Sequence, residues 1–227
     1  FEHDGIADYE ILVVNDSSTD GTEAVLKTLC GEHRQIRYTN STMPNGYGFA
    51  VRMGLREYRG ECACVVMGDL SDSPDDIVAC YRKMKEGAEC VFGSRFIKGS
   101  KIVDYPTHKM ILNRLANSFI RAMFRLPHND ITNAFKCYHR KVIDGIQPLL
   151  AAHFNLTVEM PLKAIVRGYT FETIPISWTN RTSGESKLKI KEMGSRYLFI
   201  VLYCWLERSL SRGDSGPRGS NRRISFV

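Results

Sequence analysis

The sequence predicts an α/β fold with a mostly parallel β-sheet and helices on both of its faces. Predicted strands and helices alternate up to about residue 100. The strands are continuously apolar rather than alternating, which is typical of strands buried on both faces. The chain has 227 residues, a length that suits one α/β domain with short appendages.

Each element is predicted from its local pattern. Apolar runs bounded by polar turns predict strands at residues 9–15, 36–39, 62–67, 89–93, 131–138 and 169–178. Amphipathic spacing predicts helices at residues 22–32, 46–58, 74–85, 107–125, 157–167 and 189–208. Pro74 stands in the first turn of its helix, where proline is favoured.

Composition and charge favour a globular protein and argue against nucleic-acid binding. Half of the formal net charge of +6 lies in residues 209–227, which contain four arginines and one aspartate. The rest of the chain is therefore only mildly basic. The seven cysteines include no CxxC spacing, so we expect free thiols in a reducing compartment and no zinc site.

Two of the predicted strands end in turns rich in carboxylates and small side chains. Asn15 and Asp16 follow one strand, and Asp69, Ser71 and Asp72 follow another. Ligands of open α/β sheets bind beyond the carboxyl ends of the strands. Oxygen ligands of this kind suit Mg²⁺ or Mn²⁺ together with phosphate oxygens. The turns therefore predict a site for a nucleotide and a divalent cation.

The same turns also have a purely structural interpretation, in which polar residues cap the next helix. We favour capping for Asp20 and Ser73, and a functional role for Asp16 and Asp69, because each of the latter directly follows a buried strand. An acid-rich loop alone would equally fit a phosphatase or a receiver domain.

Five motifs in order narrow the choice. They are EILVVNDSSTDGT (residues 10–22), GDLSD (68–72), GSRF (93–96), DITNAFKCYHR (130–140) and RTSGESK (181–187). Together, from about residue 9 to residue 208, they resemble the family 2 glycosyltransferases, which have the Rossmann-like GT-A fold. Within that family they are most similar to the dolichol-phosphate mannosyltransferase branch.

The resemblance implies a donor site made by residues of the first, second and last motifs. Asp16 and Asn15 would contact the nucleoside, and Asp69 would bind the metal and the diphosphate. The mobile segment that closes over the diphosphate would contribute Arg181, Ser186 and Lys187.

One position departs from the family at the metal site. The family has an Asp-x-Asp sequence, and Met67 stands where its first Asp is expected. We therefore expect Mg²⁺ or Mn²⁺ to be held by Asp69 with help from Ser71 and Asp72.

Other residues are implied in acceptor binding and catalysis. Arg95 would bind the acceptor phosphate, for which a guanidinium is well shaped. Lys109, Asn113 and Arg114 would assist it from the next helix. Asp130 would contact the donor sugar or frame the site. The predicted catalytic residues are thus Asp69, Arg95 and Asp130.

The implied reaction is an inverting transfer of a hexose from a nucleotide sugar to a polyprenyl or dolichyl phosphate. Mannose from GDP-mannose is the first choice of donor, and glucose from UDP-glucose the second. A protein or glycan acceptor is an alternative within the family. The strand at residues 9–15 resembles the family's second strand, so we expect the family's first strand to be lacking. A non-catalytic remnant that binds nucleotide sugar therefore stays open as an alternative. A nucleotidyltransferase is a further alternative.

A lipid acceptor predicts contact with a membrane surface. The helix at 107–125 carries an apolar face next to a basic one, which is typical of interfacial helices and also of ordinary core-facing helices. Residues 197–206 are an apolar run too short to span a bilayer. We therefore expect a catalytic domain at 1–188, a membrane-interface helix at 189–208 and a disordered basic tail at 209–227, in a peripheral enzyme on the cytoplasmic face of a membrane.

Overall fold

The computed structural model describes residues 1–181 and 190–211, which form an α/β fold. A short 3₁₀ helix, Glu2–Asp4, precedes the first strand. The β-strands are β1 (Ile11–Asn15), β2 (Ile36–Asn40), β3 (Cys62–Val65), β4 (Cys90–Ser94), β5 (Lys101–Val103), β6 (Lys136–His139), β7 (Phe171–Pro175) and β8 (Ser177–Thr179). The α-helices are α1 (Thr22–Glu32), α2 (Tyr47–Glu57), α3 (Pro74–Lys85), α4 (Thr107–Phe124), α5 (Arg140–Gly145), α6 (Leu156–Val166) and α7 (Ile190–Leu210).

Local signals set several of these boundaries. Helix α3 has the predicted bounds, and its cap is the predicted one, because the Ser73 hydroxyl accepts a hydrogen bond from the Asp75 N–H (3.3 Å). The strand expected at 169–178 is instead two strands. At Ile176 the chain changes partner: its N–H bonds to Ser94 of β4 (3.1 Å), and its carbonyl accepts from Lys101 of β5 (3.2 Å).

The strands of the described residues form three separate β-sheets. β1 pairs with β2, and β5 with β8, both in parallel. The largest sheet has the order β3-β6-β4-β7. In it β4 and β7 are parallel, and β6 runs antiparallel to both of its neighbours. The strand expected at 131–138 is reduced to β6, because residues 130–134 form a turn instead.

Helices cover both faces of the four-stranded sheet, as predicted. On β4, Cys90 and Phe92 face a core built with α4, α5, α6 and α7, whereas Val91 faces a smaller core that includes Cys80 of α3. The alternation along one strand explains why β4 is apolar throughout: all five of its residues are buried.

Helix α7 is anchored to the rest of the domain at both of its described ends. The Tyr197 hydroxyl donates to the Phe154 carbonyl (3.0 Å), Arg167 forms an ion pair with Glu207 (2.7 Å), and Arg208 donates to the Phe124 carbonyl (2.6 Å). Among the described residues, no helix is long and apolar enough to cross a bilayer.

Candidate active site

The first part of the site lies at the end of β1. Asn15 is buried and donates from Nδ2 to Oδ1 of Asn40 (2.8 Å), which ties the ends of β1 and β2 together. Asp16 follows, and its Oδ2 accepts a hydrogen bond from the Gly46 N–H (2.9 Å). Its other oxygen, Oδ1, is buried and has no partner within the described part of the chain. Because an unpaired buried carboxylate oxygen is costly, this atom is suited to a donor group of a ligand.

The backbone at the start of α2 holds Asp16 in place. A Cβ atom on Gly46 would lie 2.7 Å from the Ala152 carbonyl oxygen, and one on Gly48 would lie 2.5 Å from the Ala151 carbonyl oxygen. Only glycine therefore allows the loop at 151–153 to approach so closely. The Gly48 N–H donates to the Ala152 carbonyl across this contact (3.0 Å).

Glu159 supports that loop from below. Both of its carboxylate oxygens accept backbone hydrogen bonds, from Leu150 and Ala151 (2.7 Å each). Lys163 pairs with it at 2.9 Å, and both side chains are fully buried. An acid on this helix face could have been solvated; instead it fixes the loop against which α2 and Asp16 are positioned.

The second part of the site is the acidic turn after β3. Asp69 accepts a hydrogen bond from the Ser71 N–H (3.2 Å), and the Asp72 carboxylate accepts one from the Met67 N–H (3.2 Å). The Ser71 carbonyl accepts from Thr179 of β8 (3.0 Å), which fixes the turn against the sheet edge. Met67 thus supplies a backbone donor that orients Asp72, where the family motif has a carboxylate.

The composition of this turn fits a hard divalent cation. Burial, together with the nearby charge of Asp69, raises the pKa of Asp72 to about 6. A cation between the two carboxylates would relieve that repulsion, and Mg²⁺ or Mn²⁺ would take its remaining ligands from phosphate oxygens. Ser71, which lies between them in the sequence, is buried. Asp69, Ser71 and Asp72 thus lie in one turn, and their role in metal binding stays a prediction.

The two parts of the site are neighbours. Tyr47, the first residue of α2, is partly buried and lines a small cavity together with Val65, the last residue of β3, which the acidic turn follows. The start of α2, which binds Asp16 through Gly46, therefore lies close to the acidic turn.

Arg95 and Asp130 form a buried ion pair beside the same turn. Arg95 donates from Nε and Nη2 to the two oxygens of Asp130 (2.8 Å each), and its backbone N–H adds a third bond (3.0 Å). The guanidinium also lies 5.9 Å from the ring of Trp178, whose backbone bridges to Asp72. Both carboxylate oxygens of Asp130 accept hydrogen bonds from Arg95, so Asp130 orients this guanidinium.

Arg95 keeps capacity for another ligand. Its Nη1 donates weakly to the Tyr105 hydroxyl (3.5 Å). Together with the two bonds to Asp130, this uses three of the five N–H groups of a guanidinium. The remaining two N–H groups have no partner within residues 1–181 and 190–211, so an anion could accept from them. Tyr105 and Trp178, which enclose Arg95, were not anticipated, because an aromatic residue in a strand or loop gives no specific sequence signal.

The predicted helper residues on α4 divide into two groups. The Asn113 side chain faces the protein and donates to the Thr132 hydroxyl (2.8 Å), next to Asp130. Arg114 is exposed, and its guanidinium lies 4.6 Å from the Phe96 ring, over which Arg95 also lies at 5.4 Å. Lys109 is half-buried one turn earlier. Arg114 is thus the α4 residue that shares an aromatic neighbour with Arg95.

Lys136 is a site residue that sequence reasoning did not single out. It is fully buried, and its ammonium donates to the carbonyls of Ile131 (2.9 Å), Asn133 and Thr157 (3.3 Å). Burial lowers its pKa to about 7. It fixes the turn that carries Asp130. A lysine inside an otherwise apolar strand was the available signal.

Arg181 is described, and Ser186 and Lys187 lie outside the described residues. Arg181 lies three residues after Trp178, whose backbone bridges to Asp72. Asn15 and Asp16 lie at the end of β1, and Asp69 lies in the turn after β3.

Comparison with known proteins decides the family. The model of the family described as "Glycosyl transferase family 2" matches residues 4–146, which include Asp16, the acidic turn and the Arg95–Asp130 pair. This chain belongs to glycosyl transferase family 2. The prediction of a glycosyltransferase of this family is thereby confirmed.

Relatives of this family 2 glycosyltransferase confirm the predicted branch. It is 28% identical over 194 residues to the polyprenol monophosphomannose synthase of Mycolicibacterium smegmatis, covering 82% of this chain and 72% of that one. It is 27% identical over 187 residues to the dolichol-phosphate mannosyltransferase of Pyrococcus furiosus, covering 81% of this chain. The match spans only 51% of the Pyrococcus protein.

Solved structures confirm the GT-A fold of this family 2 glycosyltransferase. The glucosyl-3-phosphoglycerate synthase of Mycobacterium tuberculosis, in complex with phosphoglyceric acid, superposes with a TM-score of 0.62 at 14% identity. The superposition covers 88% of this chain and 68% of that one. The same enzyme is also known in complex with Mn²⁺ and UDP-glucose.

Proposed function

We propose that this glycosyltransferase moves a hexose from a nucleotide sugar to the phosphate of a polyprenyl lipid such as dolichyl phosphate, with inversion at the anomeric carbon. GDP-mannose is the proposed donor. The names of two relatives, a polyprenol monophosphomannose synthase and a dolichol-phosphate mannosyltransferase, support mannose as the sugar and a polyprenyl phosphate as the acceptor. UDP-glucose is the second choice of donor.

The exposed apolar row of α4 is the observation that best supports a lipid as the acceptor. Asn113 and Asn117 of this helix face inward and both bond to Thr132. Ile120 and Phe124 of the same helix are also buried, whereas the apolar side chains on its opposite side point outward. Large hydrophobic residues that are about half exposed form this row: Ile111, Leu112, Leu115 and Phe119. An amphipathic helix normally buries such a row, so its exposure favours contact with hydrocarbon.

The row begins beside the proposed acceptor site. Arg114 flanks the row, next to Ile111 and Leu115 on the helix surface, and shares the Phe96 ring with Arg95. A lipid phosphate bound by Arg95 would therefore place its chain near Ile111 and Leu115. Lys109 and Arg114 add positive charge near the entry, which suits an anionic head group.

Helix α7 extends the apolar surface. One side of it is buried against the domain through Ile200, Val201 and Cys204. The opposite side exposes large hydrophobic residues: Leu198, Phe199, Leu202, Trp205, Leu206 and Leu210. We propose that α4 and α7 together hold the enzyme peripherally on the cytoplasmic face of a membrane.

The proposed chemistry follows from the charges at the site. The ionised acceptor phosphate attacks the anomeric carbon, a carbon–oxygen bond forms, and the bond to the nucleoside diphosphate breaks. A phosphate monoester has a second pKa of about 6, so it needs no strong general base. Arg95, held by Asp130, orients the acceptor. Asp16 accepts a hydrogen bond from the donor nucleoside.

A divalent cation would be held by Asp69 and Asp72, with Ser71 beside them. When bound, Mg²⁺ or Mn²⁺ neutralises charge on the leaving diphosphate. The Asp69 carboxylate accepts a hydrogen bond from the Ser71 N–H (3.2 Å), which aligns it. Arg181, Ser186 and Lys187 are proposed to cover the diphosphate.

Transfer to a lipid extract tests this proposal. The protein is incubated with polyprenyl phosphate, Mg²⁺ or Mn²⁺ and labelled GDP-mannose or UDP-glucose, and label in the organic phase is counted. Asp69→Ala should lower transfer by roughly 100-fold or more, since it removes stabilisation of the leaving charge. Asp75→Ala, an exposed acid in the first turn of α3, is the matched control and should keep activity.

The outcomes separate the alternatives. Transfer with UDP-glucose alone would replace the donor, and transfer to protein or glycan alone would replace the acceptor. No transfer from either donor, with nucleotide-sugar binding intact, would favour the non-catalytic alternative and refute the proposed reaction.

A further inference from the structure

Three cysteine thiols meet on the side of the sheet that faces α3. Cys64 of β3 and Cys137 of β6 are directly paired in the antiparallel ladder, and Cys80 of α3 lies over them. The three Sγ atoms all lie within 4.8 Å of one another. None of the three forms a disulfide. Cys64 and Cys80 are 16 residues apart in the sequence, and Cys80 and Cys137 are 57 residues apart. Only the fold therefore brings the three thiols together.

The surroundings of the three thiols are apolar. Cys80 and Cys137 belong to a small hydrophobic core with Val91, Phe135 and Ile174. Cys80 is fully buried, Cys137 is nearly so, and Cys64 is half-buried and gives the cluster its route to solvent. A ligand of this cluster must therefore be small and must leave little net charge in the core.

The thiols are also disposed to act together. The hydrogen bonds that Cys80 shares with Cys137 and Cys64 lower the pKa of its thiol. Burial raises the pKa of Cys137. Cys80 is thus the first of the three to provide a thiolate, and thiolates are the ligands that soft, thiophilic ions prefer.

Charge decides which thiophilic ion fits best. A divalent ion with three thiolates would leave a net negative charge in an apolar core, which is costly. A trivalent ion with three thiolates is neutral. Arsenous acid reacts with three thiols to give three As–S bonds and three molecules of water, so no oxidant, reductant or net proton transfer is needed.

We propose that Cys64, Cys80 and Cys137 form a binding site for trivalent arsenic, held as a neutral tris-thiolate. The bound arsenic links β3, β6 and α3. The acidic turn at 68–73 runs between β3 and α3, so the ion would tie together the two elements that flank it. This site uses none of the residues assigned to the donor or the acceptor.

Native mass spectrometry of the full chain with arsenite tests the site. One arsenic bound by three thiols adds the mass of an arsenic atom less three hydrogens, whereas binding by two thiols retains a hydroxyl group. We expect the three-thiol mass for the wild-type protein. Cys62→Ser is the matched control, because Cys62 lies on the same strand two residues from Cys64 but outside the cluster. It should give the same mass change as the wild type.

Cys80→Ser should lose the three-thiol adduct. If that variant does not fold, Cys64→Ser, at the half-buried position, provides the same test. Arsenite should also raise the Tm of the wild type and of Cys62→Ser, but not that of Cys64→Ser, since a ligand that binds only the folded state stabilises it. A two-thiol mass for the wild type, or an unchanged adduct in Cys64→Ser and Cys80→Ser, would overturn the proposal.

Discussion

The Arg95–Asp130 pair shows how two residues depend on each other at the scale of single side chains. The Arg95 side chain is 7% exposed and the Asp130 side chain is fully buried. A buried charge is tolerated when its partner satisfies it, and removal of one partner leaves the other uncompensated. Asp130 is therefore required for Arg95 to stay where it can meet an acceptor phosphate.

Asp130→Asn should lower the free energy of unfolding by about 3–5 kcal/mol, because it leaves the Arg95 charge buried without a counter-charge. Denaturant titration of the purified protein measures this. Arg82→Ala, which removes an exposed ion pair with Asp4, is the control and should change stability very little. Unchanged stability of Asp130→Asn with lost transfer would instead make Asp130 a direct contact of the donor.

Asp72 makes the stability of the fold depend on pH. Its pKa is about 6, against an ordinary value of 3.8, so the folded state holds this proton more tightly than the unfolded state. Its contribution to stability is therefore present at low pH and is lost as pH rises from about 4 to about 6. Asp72→Asn should stabilise the protein relative to wild type at pH about 7.5, and by less at pH about 4.

Thermal unfolding at the two pH values, without added metal, measures this difference. Asp75→Asn, which changes an exposed acid nearby, should follow the wild type at both. The same titration predicts that Mn²⁺ binds less tightly below pH about 6, since protonated Asp72 is a poor ligand. A metal affinity that does not change across that range would remove Asp72 from the metal site.

At the scale of elements, α4 is oriented by its asparagines rather than by its leucines. Asn117 is buried, and its side chain bonds to Asn113 and Thr132. These bonds fix the rotation of the helix about its axis, with Ile120 and Phe124 inward. Hydrophobic periodicity alone would have placed Leu112, Leu115 and Phe119 in the core. The polar network explains why they are exposed.

Leu115→Glu should weaken binding to anionic vesicles by about tenfold or more, because burial of a leucine side chain in an apolar phase is worth about 1.5–3 kcal/mol. Vesicle sedimentation over a lipid titration measures it. Val25→Glu on α1 is the matched control, since Val25 is a similarly exposed hydrophobic residue (59%, against 62% for Leu115). Equal losses in both variants would show that α4 does not contact the membrane.

At the scale of the whole molecule, local patterns predicted most elements and the position of the two acid-rich turns after β1 and β3. Helices α1 and α3 have the expected bounds because their apolar spacing is a local signal, to which α3 adds the Ser73 cap. The direction of β6, the Arg95–Asp130 pair and the three-thiol cluster could not be predicted in this way. Each depends on contacts between residues far apart in sequence. The short strand β5 and helix α5 also lacked a sufficient local signal.

Ligand-induced stabilisation reports on the donor at this scale. A ligand at about 100 times its Kd stabilises the folded state by about 2.7 kcal/mol. We expect GDP with Mn²⁺ to raise the Tm more than UDP with Mn²⁺ at equal concentrations, measured by differential scanning fluorimetry. Asp16→Ala should reduce the GDP effect, because its buried Oδ1 would no longer receive the nucleoside. A larger shift with UDP would make UDP-glucose the donor.

The place of β6 between β3 and β4 has a consequence for the order of folding. β3 and β4 are 25 residues apart at their nearest ends, yet they do not pair with each other. Both pair with β6, which starts at Lys136. During synthesis, β6 must emerge from the ribosome before the four-stranded sheet can form. Until then, the edges of β3 and β4 that pair with β6 are unpaired. Such non-local closure slows folding and exposes the nascent chain to aggregation. Early helices α1–α3 would therefore form ahead of the sheet that they cover.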